Sequence, residues 1–402
     1  MDKALADLIK ISNATGKDST LVQGGGGNTS VKTADGKYMF IKASGTALKD
    51  MDSRRGWRRL RLEPVRAIIN DKSIAKLSVN KREIEVVNRL LDACDDKVTS
   101  GARPSVESHL HAFLDKCVIH LHPIAVAAYV NSKSGRKELE KIFKQIGTRK
   151  SPQDASRRKI ANSLPPLWVP YADPGFMLAK KIANLVTTYQ RRYGRKPAIL
   201  FLEKHGLFIS AGTAAKALQL VREVIKLCKS KLPAVKTGGI KTPAVRDITA
   251  AKSAIGKAVL NATGQNLPVS YFKTTKSIAA FMARKDAAKL LNTPALNPDE
   301  LVYANGSALW LENYDVRTIT GKLKYLVSIG QKPASAFIIK GLGLFVAAEN
   351  KIAPTIAEIT EGSLLVRMYA TKFGGILTLN KRQQDFINTW EAEAFRRKVA
   401  SK

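Results

Sequence analysis

The stretch HLHAFLDKCVIHLHPIAV, His109 to Val126, holds four of the five histidines in a chain of 402 residues. The apolar pattern predicts a helix over SVESHLHAFLDKC, a strand over VIHLHP and a second helix beginning at Ile124. Residues two apart in a strand project from the same face, so His120 and His122 lie side by side. The stretch therefore predicts a local α/β arrangement with a candidate site on its strand.

The fifth histidine, His205, stands in FLEKHGLFISAG, which predicts a strand ending at a turn. Paired imidazoles are suitable ligands for a divalent metal, and catalytic zinc sites commonly use three protein ligands and one open position. His205 is the natural third ligand beside His120 and His122. The alternative is a set of buried, hydrogen-bonded core histidines. The concentration of all five histidines in two segments favours the metal site.

A carboxylate precedes the histidines on the predicted helix. Glu107 lies four residues before His111, and it approaches the metal if this helix packs across the strand. A carboxylate beside a metal-bound substrate can move a proton to or from carbon. Taken alone, such a glutamate is usually a solvated surface residue. His109 and His111 are weaker candidates that support the ligands or cap the helix, and neither is assigned to the metal.

Two small turns are candidate anion sites. The run VQGGGGNTSVK, from Val22 to Lys32, has four consecutive glycines, which expose backbone N–H groups and permit positive φ. A second turn, KASGT at 42–46, is polar and adjoins a lysine. Together the turns are suited to a phosphate, and the alternative is two tight turns without a ligand. Neither has the G-x-G-x-x-G spacing or the P-loop ending that binds nucleotides.

The chain is strongly basic, with 67 Lys and Arg against 33 Asp and Glu and a formal net charge of +34. Such a surplus attracts polyanions. It is spread along the chain, and its concentrations at 53–66, 149–159 and 190–196 are interpreted as solvated faces or loops. No nucleic-acid-binding motif occurs. Nucleic acid bound by the basic surface is therefore the less favoured partner.

The cysteines and the hydropathy of the chain indicate the cellular compartment of the protein. The cysteines Cys94, Cys117 and Cys228 are isolated and odd in number, which argues against a disulfide framework and for a reducing environment. The opening residues lack a signal-peptide pattern, and no apolar run approaches the roughly 18 residues of a membrane span. We therefore expect a cytoplasmic protein with no membrane partner.

The order of predicted elements indicates α/β (α+β layered) architecture, with a central sheet flanked by helices. A stretch rich in Pro, Gly and Lys predicts a linker at 233–247. It divides the chain into a zinc domain at 1–232 and a smaller C-terminal α/β domain at 248–402. An average domain size of about 100–200 residues agrees with two domains.

The C-terminal domain contains a stretch that is similar in sequence to one in the first domain. AILFLEKHGLFIS at 198–210, predicted as one strand, matches SAFIIKGLGLFVA at 335–347 without gaps in its Gly-Leu-Phe core and apolar alternation. In this alignment Leu342 stands opposite His205, and no histidine follows residue 205. The C-terminal domain is therefore interpreted as a degenerate repeat without metal ligands.

Five motifs follow one another in the order GGGGNTSVK, KASGT, RPSVESHLHAFL, VIHLHP and KHGLFISAG. In this order they resemble the class II aldolase/adducin family, with the fold of fuculose-phosphate and rhamnulose-phosphate aldolases, over about residues 5 to 230. The chain looks closest to the longer members that begin LVQGGGGNTSVK, contain a WVPYxxPG segment and carry a further C-terminal region.

The resemblance implies one Zn²⁺ ion per chain on His120, His122 and His205. It also implies that Glu107 is the acid/base carboxylate. The residues that it implies for binding of the substrate or its phosphate are Gly26, Gly27, Asn28, Ser44, Gly45 and Ser105. Phosphate-binding members often have a second serine where this chain has Val106, and the lost hydroxyl weakens the case for a phosphorylated substrate.

The implied activity is that of a zinc-dependent aldolase, a lyase that cleaves or forms a carbon–carbon bond in a small sugar or sugar phosphate through a metal-stabilised enediolate. The alternatives are a metal-dependent sugar-phosphate epimerase or decarboxylase on the same fold, and a non-enzymatic protein that binds a polyanion or nucleic acid. The resemblance also implies a homo-oligomer, by analogy a tetramer.

Overall fold

Two β-sheets organise the chain, one of seven strands in its N-terminal part and one of four strands in its C-terminal part. They are seen in a computed structural model that describes residues 2–96, 102–148, 164–235, 242–392 and 395. Helices flank both sheets, so the mixed α/β architecture predicted from the sequence is confirmed.

The N-terminal sheet consists of β1 Asn28–Lys32, β2 Tyr38–Lys42, β3 Trp57–Arg61, β4 Cys117–Leu121, β5 Leu167–Val169, β6 Ile199–Leu202 and β7 Gly206–Ala211. Its helices are α1 Lys3–Gly16, α2 Leu62–Asn70, α3 Lys72–Lys76, α4 Val79–Asp92, α5 Ser108–His111, α6 Ile124–Val130, α7 Gly135–Thr148, α8 Phe176–Tyr193 and α9 Ala214–Lys229. The strand order is β3-β2-β1-β4-β7-β6-β5. Neighbouring strands are antiparallel, except that β5 and β6 are parallel.

The central strand β4 sends alternate side chains to the two faces of the sheet. Ile119 belongs to the apolar cluster on the face covered by α1, α6 and α9, and Val118 to the cluster on the opposite face. Because the side-chain period of a strand is two, His120 projects from the same face as Val118. The short helix α5 lies against this face through Leu110. The sheet thus places the candidate ligand and the segment of Glu107 on one side.

The C-terminal sheet consists of β8 Val269–Phe272, β9 Leu309–Leu311, β10 Ala336–Ile339 and β11 Gly343–Ala347, in the order β8-β11-β10-β9. The helices of this part are α10 Val245–Thr263, α11 Lys276–Met282, α12 Ala287–Leu291, α13 Pro298–Ala304, α14 Val316–Ser328, α15 Ala353–Ala370 and α16 Lys381–Thr389. Two 3₁₀ turns, Leu48–Asp50 and Thr371–Phe373, complete the described helical elements.

The four-stranded sheet repeats the arrangement β4-β7-β6-β5. In each part a parallel pair (β5 and β6, or β9 and β10) adjoins an antiparallel hairpin (β6 and β7, or β10 and β11). The hairpin turns also correspond: His205 N donates to Leu202 O at 3.1 Å, and Leu342 N donates to Ile339 O at 3.0 Å. The backbone therefore follows the register of the ungapped sequence match.

The repeat lacks the histidines at each corresponding position. Across β4 and β7 His120 pairs with Phe208, and across β8 and β11 Tyr271 pairs with Phe345. Since Phe208 and Phe345 correspond, Tyr271 occupies the position of His120. Two residues further on, Lys273 stands where the first copy has His122.

Two elements differ from the sequence prediction. The helix expected over 105–117 is limited to α5, because the Lys32 ammonium donates to the carbonyls of His111, Leu114 and Asp115 at 2.9, 3.0 and 2.6 Å and satisfies them without a further helical turn. The single strand expected over 198–210 is the hairpin of β6 and β7. Its turn has Lys204 at a positive φ of 56°.

The basic stretches are also less uniform than expected. Residues 57–61 of the first stretch form β3, and Arg58 is buried there in an ion pair with Asp96, Nη2 to Oδ1 2.8 Å. The second stretch, 149–159, lies outside the described residues, and the third forms the end of α8 and the turn after it. The interpretation as solvated faces is therefore wrong for Arg58.

The predicted linker at 233–247 differs from the structure in its C-terminal bound. Residues 236–241 lie outside the described part of the chain, and α10 begins at Val245, inside the expected linker. The division into domains at 232 and 248 stays a prediction. None of the described helices combines the length and the apolar character required to cross a membrane.

The C-terminal part packs directly against the first sheet's helices. The Asn131 amide, just after α6, donates to Leu296 O at 2.7 Å. Lys133 N donates to Gly375 O at 3.0 Å in the same region. A buried ion pair joins helix α13 to helix α15, in which Arg367 Nη1 of α15 lies 2.8 Å from Glu300 Oε1 of α13. These contacts hold α13 beside the first sheet.

We expect Arg367→Met to lower the free energy of unfolding by about 3–5 kcal/mol, because it leaves the Glu300 carboxylate buried without its partner. Arg367 and Glu300 have side chains that are 0% and 2% exposed. Adding Glu300→Gln should restore part of the loss, since no buried charge then remains. Urea unfolding followed by circular dichroism measures both variants.

Lys340→Met is the matched control, because it breaks the exposed pair of Lys340 Nζ and Glu312 Oε2, 2.9 Å apart, in the same part of the chain. Such surface pairs contribute about 0–1 kcal/mol. A double variant no more stable than Arg367→Met alone would show that the buried charge is not the cause.

Candidate metal centre and active site

Three histidines converge at the end of β4. His120 Nε2 lies 3.1 Å from His122 Nε2 and 3.3 Å from His205 Nε2. Among the described residues, these three form a group whose potential ligand atoms all lie within 4.8 Å of one another. His120 lies on β4, His122 follows the end of β4 at Leu121, and the β6–β7 turn supplies His205. The structure thus brings together the three ligands predicted from the sequence.

In His120 and His122 the hydrogen bond made by Nδ1 decides which ring nitrogen carries the proton of the neutral ring. His120 Nδ1 lies 3.1 Å from Leu207 O, which only accepts, so Nδ1 carries the proton. His122 Nδ1 donates to the Asp299 Oδ2 carboxylate oxygen. In a neutral imidazole each Nε2 is then an unprotonated acceptor. With both rings neutral, two lone pairs face each other, and this donor set fits a cation.

Burial favours the neutral form of the His120 imidazole. His120 is 1% exposed, and burial lowers its pKa well below the usual 6.5, against the opposing effect of Glu107. Neutral imidazole is the form that binds a metal. His120 therefore does not need to lose a proton near neutral pH before it can bind a cation.

Glu107 faces the histidine cluster from the residue before α5. Its Oε2 lies 3.5 Å from His120 Nε2, and its Oε1 lies 3.7 Å from His205 Nε2. The Asn28 amide donates to Oε2 at 2.6 Å. Burial opposes ionisation of Glu107, but its electrostatic interaction with His120 and His205 and the Asn28 hydrogen bond lower its pKa to about 2.

One face of β1 positions the turn that carries Glu107. Asn28, Ser30 and Lys32 alternate along this face, and each contacts a part of the segment from Glu107 to Asp115. Ser30 Oγ is hydrogen-bonded to His111 Nδ1 at 2.8 Å. This spacing of two fixes the carboxylate relative to the sheet.

His109 and His111 lie outside the ligand cluster. Both are fully buried, and burial lowers the pKa of His109 to about 4 and of His111 to about 3. The His111 ring also packs edge-on against Phe208 at 5.4 Å. Both are buried histidines of α5, and that neither binds the metal stays a prediction.

The cluster opens into a small cavity of about 50 Å³. Its lining includes the site residues Gly27, Asn28, Ser44, Gly45, Ser105, Glu107, His120, His122 and His205. Lys42 and Val106 also line it.

Gly26 is the predicted binding residue that the structure places elsewhere. It does not line the cavity. A Cβ at this position would lie 2.9 Å from Asp299 Oδ2 and 3.3 Å from His122 Nδ1. The glycine therefore leaves room for the contact between His122 and Asp299, which is a different reason for a glycine than ligand binding.

The C-terminal part supplies four cavity residues that the sequence analysis missed, namely Pro298, Asp299, Trp390 and Ala392. The motif NPDEL does signal a helix start, with Asn297 as cap and Pro298 at the first turn. Nothing in that motif indicates that Asp299 reaches a histidine 177 positions earlier in the chain. Only the docking of the two parts reveals it.

Comparison with known proteins relates the first sheet to a family. The model of the class II aldolase and adducin N-terminal domain matches residues 6–232. A protein of Bacillus subtilis (strain 168), named uncharacterized oxidoreductase YuxG, is 24% identical over 447 residues. That match covers 100% of this chain and 59% of YuxG, so the chain spans well under two thirds of its relative's length.

Solved structures match over the same part. The N-terminal class II aldolase domain of a conserved protein from Thermoplasma acidophilum is 26% identical with a TM-score of 0.44, over 57% of this chain and 94% of that one. The L-fuculose 1-phosphate aldolase from Glaciozyma antarctica PI12 is 11% identical with a TM-score of 0.34, over 57% of this chain and 71% of that one.

Proposed function

Because this chain belongs to the class II aldolase and adducin family, we propose that it is a metal-dependent lyase acting on a small sugar or sugar phosphate. The observation that carries the proposal is the convergence of the Nε2 atoms of His120, His122 and His205 beside the Glu107 carboxylate. A carbon–carbon bond is cleaved or formed at this point.

The proposed cofactor is one Zn²⁺ ion per chain, held by His120, His122 and His205. Three imidazoles and one open position are typical of catalytic zinc. When bound, such an ion supplies Lewis acidity that stabilises negative charge on a substrate oxygen. The neutral state of His120 and the carboxylate at Asp299 suit the ring nitrogens to this role.

Glu107 moves the proton. In the cleavage direction the carboxylate would take the proton of the substrate hydroxyl whose carbon becomes a carbonyl as the carbon–carbon bond breaks. The carboxylic acid so formed would give that proton to the released carbon, and the reverse direction would run both transfers backwards. The Asn28 amide holds one carboxylate oxygen at 2.6 Å, which orients the group toward the cavity. Proton transfer by a positioned carboxylate needs no lysine nucleophile.

The other end of the cavity takes the polar or anionic end of the substrate. Ser44, Gly45 and Ser105 line it, and the buried Lys42 ammonium donates to Gly25 O at 3.2 Å. Val106 supplies no hydroxyl donor to the cavity, whereas Lys42 supplies a positive charge. We therefore propose that charge as well as hydroxyl groups recognises this end of the substrate.

Epimerisation and decarboxylation by the same residues are the second candidate, and analysis of the products separates them from bond cleavage. The name of YuxG describes an oxidoreductase, but the sequence of this chain has no G-x-G-x-x-G after a strand. Oligomeric assembly and a cytoplasmic location stay predictions.

Elemental analysis of the purified chain tests the proposal first. We expect about one zinc per chain and a lower thermal unfolding midpoint after removal by a chelator, because a metal bound to the native state stabilises it. Turnover should be screened with hydroxyketone phosphates and free ketoses. A chain that takes up no divalent metal, even when supplied with zinc, would contradict the proposal and favour polyanion binding.

A further inference from the structure

The glycine run faces the C-terminal part of the chain at three consecutive positions. A Cβ at Gly24 would overlap Thr355 of α15, and one at Gly25 would lie 2.9 Å from the Tyr303 hydroxyl. At Gly26 the neighbouring atom is Asp299 Oδ2, also at 2.9 Å. The absence of side chains on this loop therefore lets the C-terminal part approach the metal centre closely.

Asp299 uses this approach to reach a ligand ring. Its Oδ2 accepts the Nδ1–H of His122, and the two side chains are 4% and 8% exposed. A buried carboxylate with a histidine partner is far more effective than one in water, because solvent does not compete for the hydrogen bond. Asp299 lies outside the residues 6–232 that match the family model.

The helix that carries Asp299 is itself held in place. The next residue, Glu300, is paired with Arg367, and its Oε2 accepts Leu296 N at 2.7 Å. The Asn297 side chain caps the helix by accepting Glu300 N at 3.0 Å. A carboxylate on a fixed helix defines the ring orientation of its partner better than one on a mobile loop.

We propose that Asp299 is a positioning residue for the metal centre, so that the C-terminal part of the chain completes a ligand set whose three histidines all lie in the first part. Its carboxylate keeps the proton of His122 on Nδ1 and turns the Nε2 lone pair toward His120 and His205. The inference rests on the proposed function, because it assigns a role in binding the same metal.

Loss of this carboxylate has a defined consequence. Without an acceptor at Nδ1, the neutral His122 ring is free to carry its proton on either nitrogen, and the ring loses one restraint on its rotation. Removing such a partner of a metal-binding histidine typically costs about 10–100-fold in metal affinity. The three ligands remain, so binding is weakened and not abolished.

The first test measures zinc affinity of the full chain by competition with a chromogenic chelator. We expect Asp299→Ala to weaken binding about 10–100-fold, and Asp299→Asn to lose less, because its amide oxygen still accepts from Nδ1. Gly26→Ala should weaken binding as well, since its Cβ pushes against Asp299. Gly212→Ala, which has no atom within 4 Å of its added Cβ, is the matched control and should bind as the wild type does.

The second test needs no metal and no turnover. With ¹⁵N-labelled histidine, the five histidines of the chain give few enough signals to follow His122 individually. The metal-free wild type should show His122 protonated on Nδ1, and Asp299→Ala should show a mixture of tautomers. Circular dichroism and the thermal midpoint establish that each variant is folded. An unchanged tautomer in a folded Asp299→Ala variant would overturn the proposal.

The outcomes separate this inference from the function. If the wild type binds one zinc and Asp299→Ala binds it equally tightly, the positioning role is wrong and the metal-dependent function stands. If the wild type binds no zinc, the function fails, and the role proposed for Asp299 fails with it. Weaker binding in Asp299→Ala, partly rescued in Asp299→Asn, supports the proposal.

Discussion

Replacing His205 with Ala should reduce the zinc content from about one per chain to nearly none and should abolish turnover. His205 is the proposed ligand on the β6–β7 turn, and its Nε2 lies 3.3 Å from His120 Nε2. Two remaining imidazoles on one strand are a weaker site than the three that zinc enzymes commonly use. Elemental analysis after dialysis and turnover measurements with added zinc give the two results.

The internal repeat offers a matched control for this variant. Leu342 occupies the same position in the β10–β11 turn, with the same main-chain hydrogen bond, and it has no histidine neighbours at the corresponding strand positions. Leu342→Ala should keep the wild-type zinc content. If His205→Ala also retained one zinc after dialysis, the ion would be held elsewhere and the proposed ligand set would be wrong.

The convergence of the histidines was predictable because it depends on two local rules. The period of a strand places His120 and His122 on one face, and a turn places His205 at the end of the neighbouring hairpin. The sequence prediction of one long strand missed that hairpin, since Lys204 adopts a positive φ that favours glycine. At the corresponding position of the repeat stands Gly341, also with positive φ, where the turn is easier to recognise.

The contribution of the C-terminal part was not predictable in the same way. Asp299 and Gly26 are 273 positions apart, and their proximity follows from the packing of α13 onto the glycine run. In a single sequence, four glycines indicate conformational freedom or an anion site equally well. Two of the glycines prove to face Tyr303 and Asp299. Tertiary packing thus explains a motif that looked like a binding loop.

The short helix α5 shows the same limit on a smaller scale. Its apolar pattern continued to Cys117, so a helix of three turns was the natural expectation. The Lys32 ammonium of the facing strand instead donates to three carbonyl groups at and beyond the end of α5. A side chain distant in sequence thus ended the helix, and Glu107, the residue before α5, faces the histidines.

Glu107→Gln should lower kcat by about 10²–10⁴-fold while one zinc per chain remains bound. The substitution keeps the size of the side chain and an oxygen that accepts the hydrogen bond of Asn28. In the wild type the Asn28 amide nitrogen lies 2.6 Å from Glu107 Oε2. It removes the group that exchanges a proton with substrate carbon. Zinc analysis and steady-state kinetics, made on the same preparation, separate loss of the proton carrier from loss of the metal.

His205→Ala is expected to lose zinc and turnover together, whereas Glu107→Gln is expected to lose turnover alone. Glu85→Gln is the matched control, since Glu85 lies on α4 in a partly exposed pair with Arg89 and should leave kcat unchanged. A Glu107→Gln variant that turned over at the wild-type rate with its zinc bound would mean that another group moves the proton. A variant that lost both zinc and activity would mean that Glu107 helps to hold the cation, because its two oxygens lie 3.5 and 3.7 Å from ligand nitrogens. Retained zinc with lost turnover is the result that we expect, since the proposal assigns the metal to the three histidines and the proton transfer to Glu107.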